Sequence, residues 1–278
     1  MSLRFRNKTS VPACTATSER IYAIGDVHGR YDLLRNLLDM IEMHSARQPG
    51  LGKPKIVLLG DVIDRGPESA RIMRFLIAAQ QYTKRLVVLR GNHEEMLLRI
   101  IDGDDEVEQS WLDYGGIATL ASFGIALPET DDPPGLLGRR LRAAIPADIV
   151  QWLRELPMSA RSGDYFFCHA GVRPGIRLDR QNRDDLMWIR DDFLHSDRDH
   201  GAVVVHGHSE SIGVEIRANR IGMDTGAHRT NTLSCLYLEG AKRDVFSATN
   251  AASWLDRRRA DVASMRSGLA SVADATVD

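Results

Sequence analysis

Cysteine is scarce in this chain: there are three in 278 residues (Cys14, Cys168 and Cys235), with no CxxC spacing. An odd number without that spacing argues against both a disulfide framework and a zinc–thiolate site. Long apolar runs are missing too. No stretch approaches the roughly 20 residues that a membrane helix requires, and the opening MSLRFRNKTSVPACTATSER has basic residues but no apolar core of the secretory-leader kind. Positive charge is not in surplus, since 36 Lys and Arg face 38 Asp and Glu for a net −2, and no basic stripe marks a nucleic-acid-binding surface. These absences predict a reducing, cytoplasmic setting with neither membrane nor nucleic acid as partner. Internal repeats and low-complexity tracts are absent as well. What is there is ordinary globular composition, 43% hydrophobic, enough for one large α/β domain or two small ones.

The stretch that organises the rest is Ile56–Gly66, IVLLGDVIDRG. Its four aliphatic residues read as a buried strand that ends in Gly60, with Asp61, Asp64 and Arg65 on the turn before Pro67 opens a helix over 67–80. Two other stretches repeat this arrangement. The strand Arg20–Ile24 ends in Gly25-Asp26-Val27-His28-Gly29 and leads to a helix with Leu33, Leu34, Leu37, Leu38 and Ile41 on one face. The strand Arg85–Leu89 runs through Arg90-Gly91-Asn92-His93-Glu94 into a helix carrying Met96, Leu97 and Ile100. Parallel strands joined by right-handed crossovers point the same way, so the three polar loops are expected to meet at one end of one sheet.

Between about 101 and 156 the pattern changes. An acidic turn at 102–106, a helical segment at 111–123, the loop ETDDPPG at 129–135 and a helix at 147–156 predict a helical insertion over the sheet. The sheet is expected to resume at Asp164–Cys168, ending in His169-Ala170-Gly171, and again at Ala202–Val205, ending in His206-Gly207-His208. Val214–Ala218, Arg220–Met223, Leu233–Glu239 and Asp244–Ala248 read as short antiparallel strands. Residues 1–18 are expected to form a disordered lead-in, and 251–278 a polar, arginine-containing tail.

Asp26, His28, Asp61, Asn92, His169 and His208 all fall on or just after strand ends, and each offers an oxygen or an imidazole nitrogen. One such Asp alone would more often be a helix cap, and one such His a packed core residue. Six together, with no thiolate, suit two cations of the Mn²⁺, Fe or Zn²⁺ kind better than Ca²⁺. His206 would point the same way as His208 on a strand, so it is either a further ligand or a packing residue. Cys168 is assigned to the core, and His228 is left without a role.

Gly25-Asp26-x-His28-Gly29, Gly60-Asp61-x-x-Asp64-Arg65-Gly66 and Gly91-Asn92-His93-Glu94, followed by His169-Ala170-Gly171, Leu186–Arg190 and Gly207-His208, resemble the motifs of the phosphoprotein phosphatases in the calcineurin-like metallophosphoesterase superfamily, bacterial and phage members included. The similarity spans about residues 20–240. It implies an α/β fold, a β-sandwich flanked by helices in α/β/β/α layers over about 19–250. It also implies a dinuclear centre in which Asp26, His28 and Asp61 hold one metal while Asp61 bridges to a second held by Asn92, His169 and His208, with metal-bound hydroxide attacking phosphorus. His93 resembles the family's general acid, with Asp64 orienting it.

Physical chemistry agrees with that implication. A phosphate dianion repels an anionic nucleophile, and two cations with Arg65 and Arg190 leave a local charge of about +3 after Asp26, Asp61 and a hydroxide are subtracted. The expected activity is phosphomonoester hydrolysis on phosphoserine or phosphothreonine in a protein or peptide, with phosphotyrosine as a further candidate and manganese as the expected metal, ahead of iron or zinc. The alternative is a diadenosine tetraphosphate hydrolase, against which the acids at 102–108 and 129–132 would count if they faced the cleft. A nuclease would be expected to carry GHxH where this chain has Gly207-His208-Ser209-Glu210. An inactive metal-binding scaffold would be expected to lack His93 or the arginines.

Overall fold

The computed structural model describes residues 12–48, 54–129 and 131–250. Two five-stranded sheets lie face to face between helical layers. The first has the order β10-β9-β1-β2-β3, with β1 (Arg20–Ile24), β2 (Lys55–Leu58) and β3 (Leu86–Val88) parallel and β9 (Thr232–Glu239) and β10 (Lys242–Thr249) antiparallel to them or to each other. The second has the order β4-β5-β6-β8-β7, built from β4 (Ser159–Ser162), β5 (Tyr165–Cys168), β6 (Val203–His206), β7 (Glu215–Ile216) and β8 (Arg220–Gly222).

Side-chain alternation assembles the layers. Ile21 and Ala23 of β1 and Val57 of β2 face the second sheet, where they meet Tyr165, Phe167, Val205 and Ile221. Tyr22, Ile24 and Leu58 face outward onto α1 (Tyr31–Ala46), α2 (Ser69–Tyr82) and α3 (Asn92–Asp102), through Leu33, Leu37, Ile72, Met73 and Leu97. On the far side of the second sheet, Phe166, Cys168 and Val204 pack with Leu186 and Ile189 of the α8 region (α8 itself spans Arg183–Trp188) and with Phe193.

Four differences from the sequence expectation have physical causes. Asp164–Cys168 does not extend the first sheet but opens a second, because burial on both faces looks alike in either sheet. Arg220–Met223 does form an antiparallel hairpin with β7, yet β8 also lies parallel to β6, a long-range pairing that local turn residues do not report. The segment 101–156 holds α4 (Glu108–Trp111), α5 (Ile117–Ser122), α6 (Leu136–Ala144) and α7 (Ala147–Glu155), and of these α6 was not foreseen. It packs on α3 in the outer helical layer, while α7 packs on both α2 and α3. Finally, residues 14–16 are tied to the domain, by Thr15 N–H to Gly240 C=O at 3.1 Å and Cys14 N–H to Asp164 Oδ2 at 3.0 Å. The rest of the expected lead-in, residues 1–11, and the tail 251–278 lie outside the described residues.

Candidate metal centre

The loops after β1, β2 and β3 meet as the parallel register requires, and those after β5 and β6 arrive from the second sheet. Asp26, His28, Asp61, Asn92, His93, His169 and His208 are all buried there. Their backbone is strained. Seven described non-glycine residues have positive φ, and five of them (His28, Asp61, Asp64, Arg65 and His208) belong to this site. Such conformations cost on the order of 1–3 kcal/mol each and persist where the surrounding structure imposes them.

Glu94 imposes much of it. Its buried carboxylate accepts N–H bonds from Asp61 at 2.9 Å, Val62 at 2.8 Å and Gly91 at 2.8 Å, binding the turn after β2 to the start of α3. Burial, and then the Asp61 charge, push Glu94 up to about 7, against the hydrogen bond from Gly91. Gly91 and Gly207 have to be glycine here, since a Cβ at the first would collide with Asp61 Oδ1 and at the second with Asp26 Oδ1.

Two clusters of ligating atoms share Asp61: His28, Asp61 and His93 on one side, Asp61, His169 and His208 on the other. Asp61 Oδ2 stands 3.7 Å from His28 Nε2, 3.8 Å from His93 Nε2 and 3.4 Å from His169 Nε2. Backbone carbonyls fix the rings. His28 Nδ1 donates to Ile63 C=O and His169 Nδ1 to Leu59 C=O, both at 2.9 Å, which turns each Nε2 toward the shared carboxylate. Asn92 Oδ1 lies 2.9 Å from both His169 Nε2 and His208 Nδ1.

These residues fit divalent cations on three observations. Donors about 2.1 Å from one octahedral cation stand about 3 Å apart, the spacing found around Asn92. Asp26 Oδ1 is buried with no hydrogen-bond partner, a costly state for a carboxylate oxygen unless something else meets it. The donor set is oxygen and imidazole nitrogen without sulfur, as borderline metals prefer. Asp26 stands outside both tight clusters but beside them: burial, and then the nearby Asp224 carboxylate, push it well above the usual carboxylate range. Asp61 is the opposite case. Burial opposes its ionisation, yet the imidazoles of His169 and His93 hold it well below that range.

The remaining expected residues divide by position. His93 Nδ1 donates to Asp64 Oδ2 at 2.7 Å. Asp64 is itself held from the helical insertion, by Trp111 Nε1–H at 2.8 Å and Thr119 Oγ1–H at 2.5 Å. For His93, burial lowers the pKa but Asp61 and the Asp64 bond outweigh it, so the net shift is upward. Arg65 Nη2 lies 3.4 Å from His93 Nε2, while its Nη1 donates to Glu210 Oε1 at 3.2 Å. Arg190 is exposed, and its charge helps hold His208 down at about 2, after burial and His169. His206 is not brought in: its Nδ1 turns to Gly207 C=O at 3.0 Å, and its ring stacks edge-on against Phe193 in the outer core.

Several residues were not assigned from sequence. Trp111 and Thr119 act through long-range hydrogen bonds that no local pattern reports, and Glu94 adds to its local capping bond at Gly91 long-range bonds at Asp61 and Val62. Asp224 did carry a signal, an acid two residues beyond the end of β8, as Asp26 lies two residues beyond the end of β1. His228 stacks edge-on to His28 at 5.4 Å, and burial lowers it to about 4.

Comparison with known proteins agrees with this geometry. A curated bis(5'-nucleosyl)-tetraphosphatase, symmetrical, of Nitrosospira multiformis is 24% identical over 80% of this chain and 94% of its own length. A zinc-dependent endopolyphosphatase of Saccharomyces cerevisiae is 23% identical over 77% of this chain and 74% of its own. A solved structure assigned provisionally as a diadenosine tetraphosphatase superposes at TM-score 0.58 with 20% identity, covering 86% of this chain and 100% of that one. The family model for calcineurin-like phosphoesterases matches residues 19–262. With that match over most of its length, the chain belongs to the calcineurin-like phosphoesterase family.

Proposed function

We propose that this metallophosphoesterase hydrolyses the phosphoanhydride bridge of dinucleoside polyphosphates such as diadenosine tetraphosphate. That reverses the order of the two substrate classes expected from sequence, in which phosphoproteins came first. The observation that carries the reading is the similarity to the Nitrosospira tetraphosphatase over 94% of that protein's length. Three ion pairs weaken the objection raised by the acidic insertion. Asp102 pairs with Arg154, Asp104 with Arg99 and Asp132 with Arg140, and Asp102 ends α3 about 15 Å from Asn92, which begins it. These three acids are thus largely neutralised by their arginine partners, which weakens their repulsion of a polyanion.

Asp26, His28, Asp61, Asn92, His169 and His208 would hold two divalent ions, for which manganese, iron and zinc are the candidates. Such ions supply Lewis acidity and an activated water near neutral pH. The chain's own groups do the rest. Arg65 and Arg190 bind phosphoryl oxygens, Arg65 from beside His93. Asp64 keeps the Nδ1 proton of His93 in place, so that Nε2 faces the pocket and can protonate the departing oxygen. For an anhydride that oxygen belongs to a phosphate with a second pKa of about 6, whereas a serine ester leaves as an alkoxide and depends more on the proton. The test is kcat/KM for diadenosine tetraphosphate, a phosphoserine peptide and p-nitrophenyl phosphate, each with Mn²⁺, Fe²⁺, Zn²⁺ and Mg²⁺. We expect the tetraphosphate to lead by at least about tenfold, a margin of about 1.4 kcal/mol in transition-state binding. A phosphopeptide leading by that margin would restore the phosphoprotein reading.

A further inference from the structure

Of the three described tryptophans, two have their indole N–H bonded inside the fold: Trp111 to Asp64 at 2.8 Å and Trp152 to Gln80 at 2.7 Å. Trp188 differs. It ends α8 with 36% of its surface exposed, although Leu186, Met187 and Ile189 around it are buried. Its ring lies 6.4 Å from that of His208 with the planes at 80°, so this exposed indole borders the metal-ligating cluster.

The indole is also rigidly carried. Leu186 C=O accepts the N–H of Ala170, the residue after His169, at 2.8 Å, and Leu186 and Ile189 pack with Phe166, Cys168 and Val204. Two residues on, Arg190 is exposed and makes no ion pair among the described residues, in contrast to Arg65, which Glu210 holds. An exposed large aromatic normally loses by facing water, and an indole two positions before an unpaired guanidinium is suited to a flat, electron-rich ring that carries phosphate.

We propose that Trp188 is the nucleobase platform of the site: one base of a dinucleoside polyphosphate stacks on the indole, while Arg190 takes the phosphate next to that nucleoside. This rests on the substrate reading above. It goes beyond it in naming the residue that distinguishes a nucleotide from a bare polyphosphate chain. Stacking needs a plane and not merely an apolar surface, so shape is the discriminating property.

The experiment compares diadenosine tetraphosphate with inorganic tetraphosphate, which has no ring to stack, in wild-type protein and in Trp188→Ala, Trp188→Leu and Trp188→Phe, all metal-loaded. We expect the ratio of kcat/KM for the dinucleotide to that for tetraphosphate to fall about tenfold in Trp188→Ala. It should fall as far in Trp188→Leu, through a raised KM for the dinucleotide, and recover most of the way in Trp188→Phe. An unchanged ratio in Trp188→Ala, or full recovery with Leu, would overturn the platform while leaving the dinucleotide reading intact. Wild-type protein that does not cleave the dinucleotide would overturn both.

Discussion

The half of the site contributed by the first sheet and the half contributed by the second are built on different principles. On the first side His28, Asp64 and His93 have their proton-bearing nitrogens and carboxylate oxygens bonded to the protein, and the insertion braces Asp64 through Trp111 and Thr119. On the second side His208 keeps a buried Nε2 without a partner, and Arg190 is exposed with no ion pair among the described residues. The contrast suggests a division of labour. Both halves offer cation ligands; the first adds the proton-delivering His93, and the second adds a guanidinium, Arg190, that no carboxylate holds among the described residues. Asp61 belongs to both.

The largest effect should come from removing what the two halves share. Exhaustive chelation is expected to lower hydrolysis of every substrate by at least about 10³-fold, because Lewis acidity of several kcal/mol is lost at once, and readdition of Mn²⁺ should restore it. Full activity after chelation would mean the clusters do another job.

Next is the proton-delivering side alone. His93→Asn should cut kcat on a phosphoserine peptide by roughly 10²–10⁴-fold and on diadenosine tetraphosphate by much less, since the anhydride leaves without a strong acid. The sign of the pH effect follows from His93 being raised and acting as acid. It works while protonated, so peptide turnover should decline as pH rises through its pKa, and that alkaline limb should vanish in His93→Asn. Equal losses on both substrates would remove His93 from proton transfer.

The two arginines sharpen the comparison further. Arg190→Ala is expected to raise KM about tenfold, and Arg65→Ala by less, because the Glu210 carboxylate already offsets part of the Arg65 charge. Steady-state kinetics on one substrate decides it, and the reverse order would place the anion-binding capacity on the first side.

The smallest expected effect is on stability. Asp26 is fully buried and raised, so in metal-free protein its ionisation opposes folding, by a penalty absent below the unfolded pKa and complete once pH exceeds the folded one. Asp26→Asn should therefore melt about 2–4 °C higher than wild type near neutral pH after chelation, with the gap closing as pH falls. A lower melting temperature in the variant would show that the carboxylate is stabilising as it stands.

The first half was also the more readable in sequence. Asp26, His28, Asp61, Asn92 and His93 lie within three short motifs, each set by a strand ending in glycine, and β1 is found at the expected residues. The second half depends on contacts distant in sequence. His169 and His208 could be placed at strand ends, but the second sheet, the parallel β6–β8 pairing and the turn of His206 into the outer core come from tertiary packing. Trp111 and Thr119 are 47 and 55 residues from the Asp64 they hold, so their role could not be read from spacing. His44 makes the same point on a small scale: its ring bonds Tyr22 OH at 2.7 Å, 22 residues away in the chain, a contact that the helical pattern around it does not report.

The most direct measurement is metal binding by Asp61→Asn, followed by calorimetric titration of the metal-free protein with Mn²⁺ beside wild type. If one carboxylate serves both clusters, wild type should take up two ions per chain. The variant, whose neutral amide cannot screen two neighbouring cations, should lose affinity in both steps. Retention of two ions at wild-type affinity, or loss of one with the other untouched, would contradict a centre shared through Asp61.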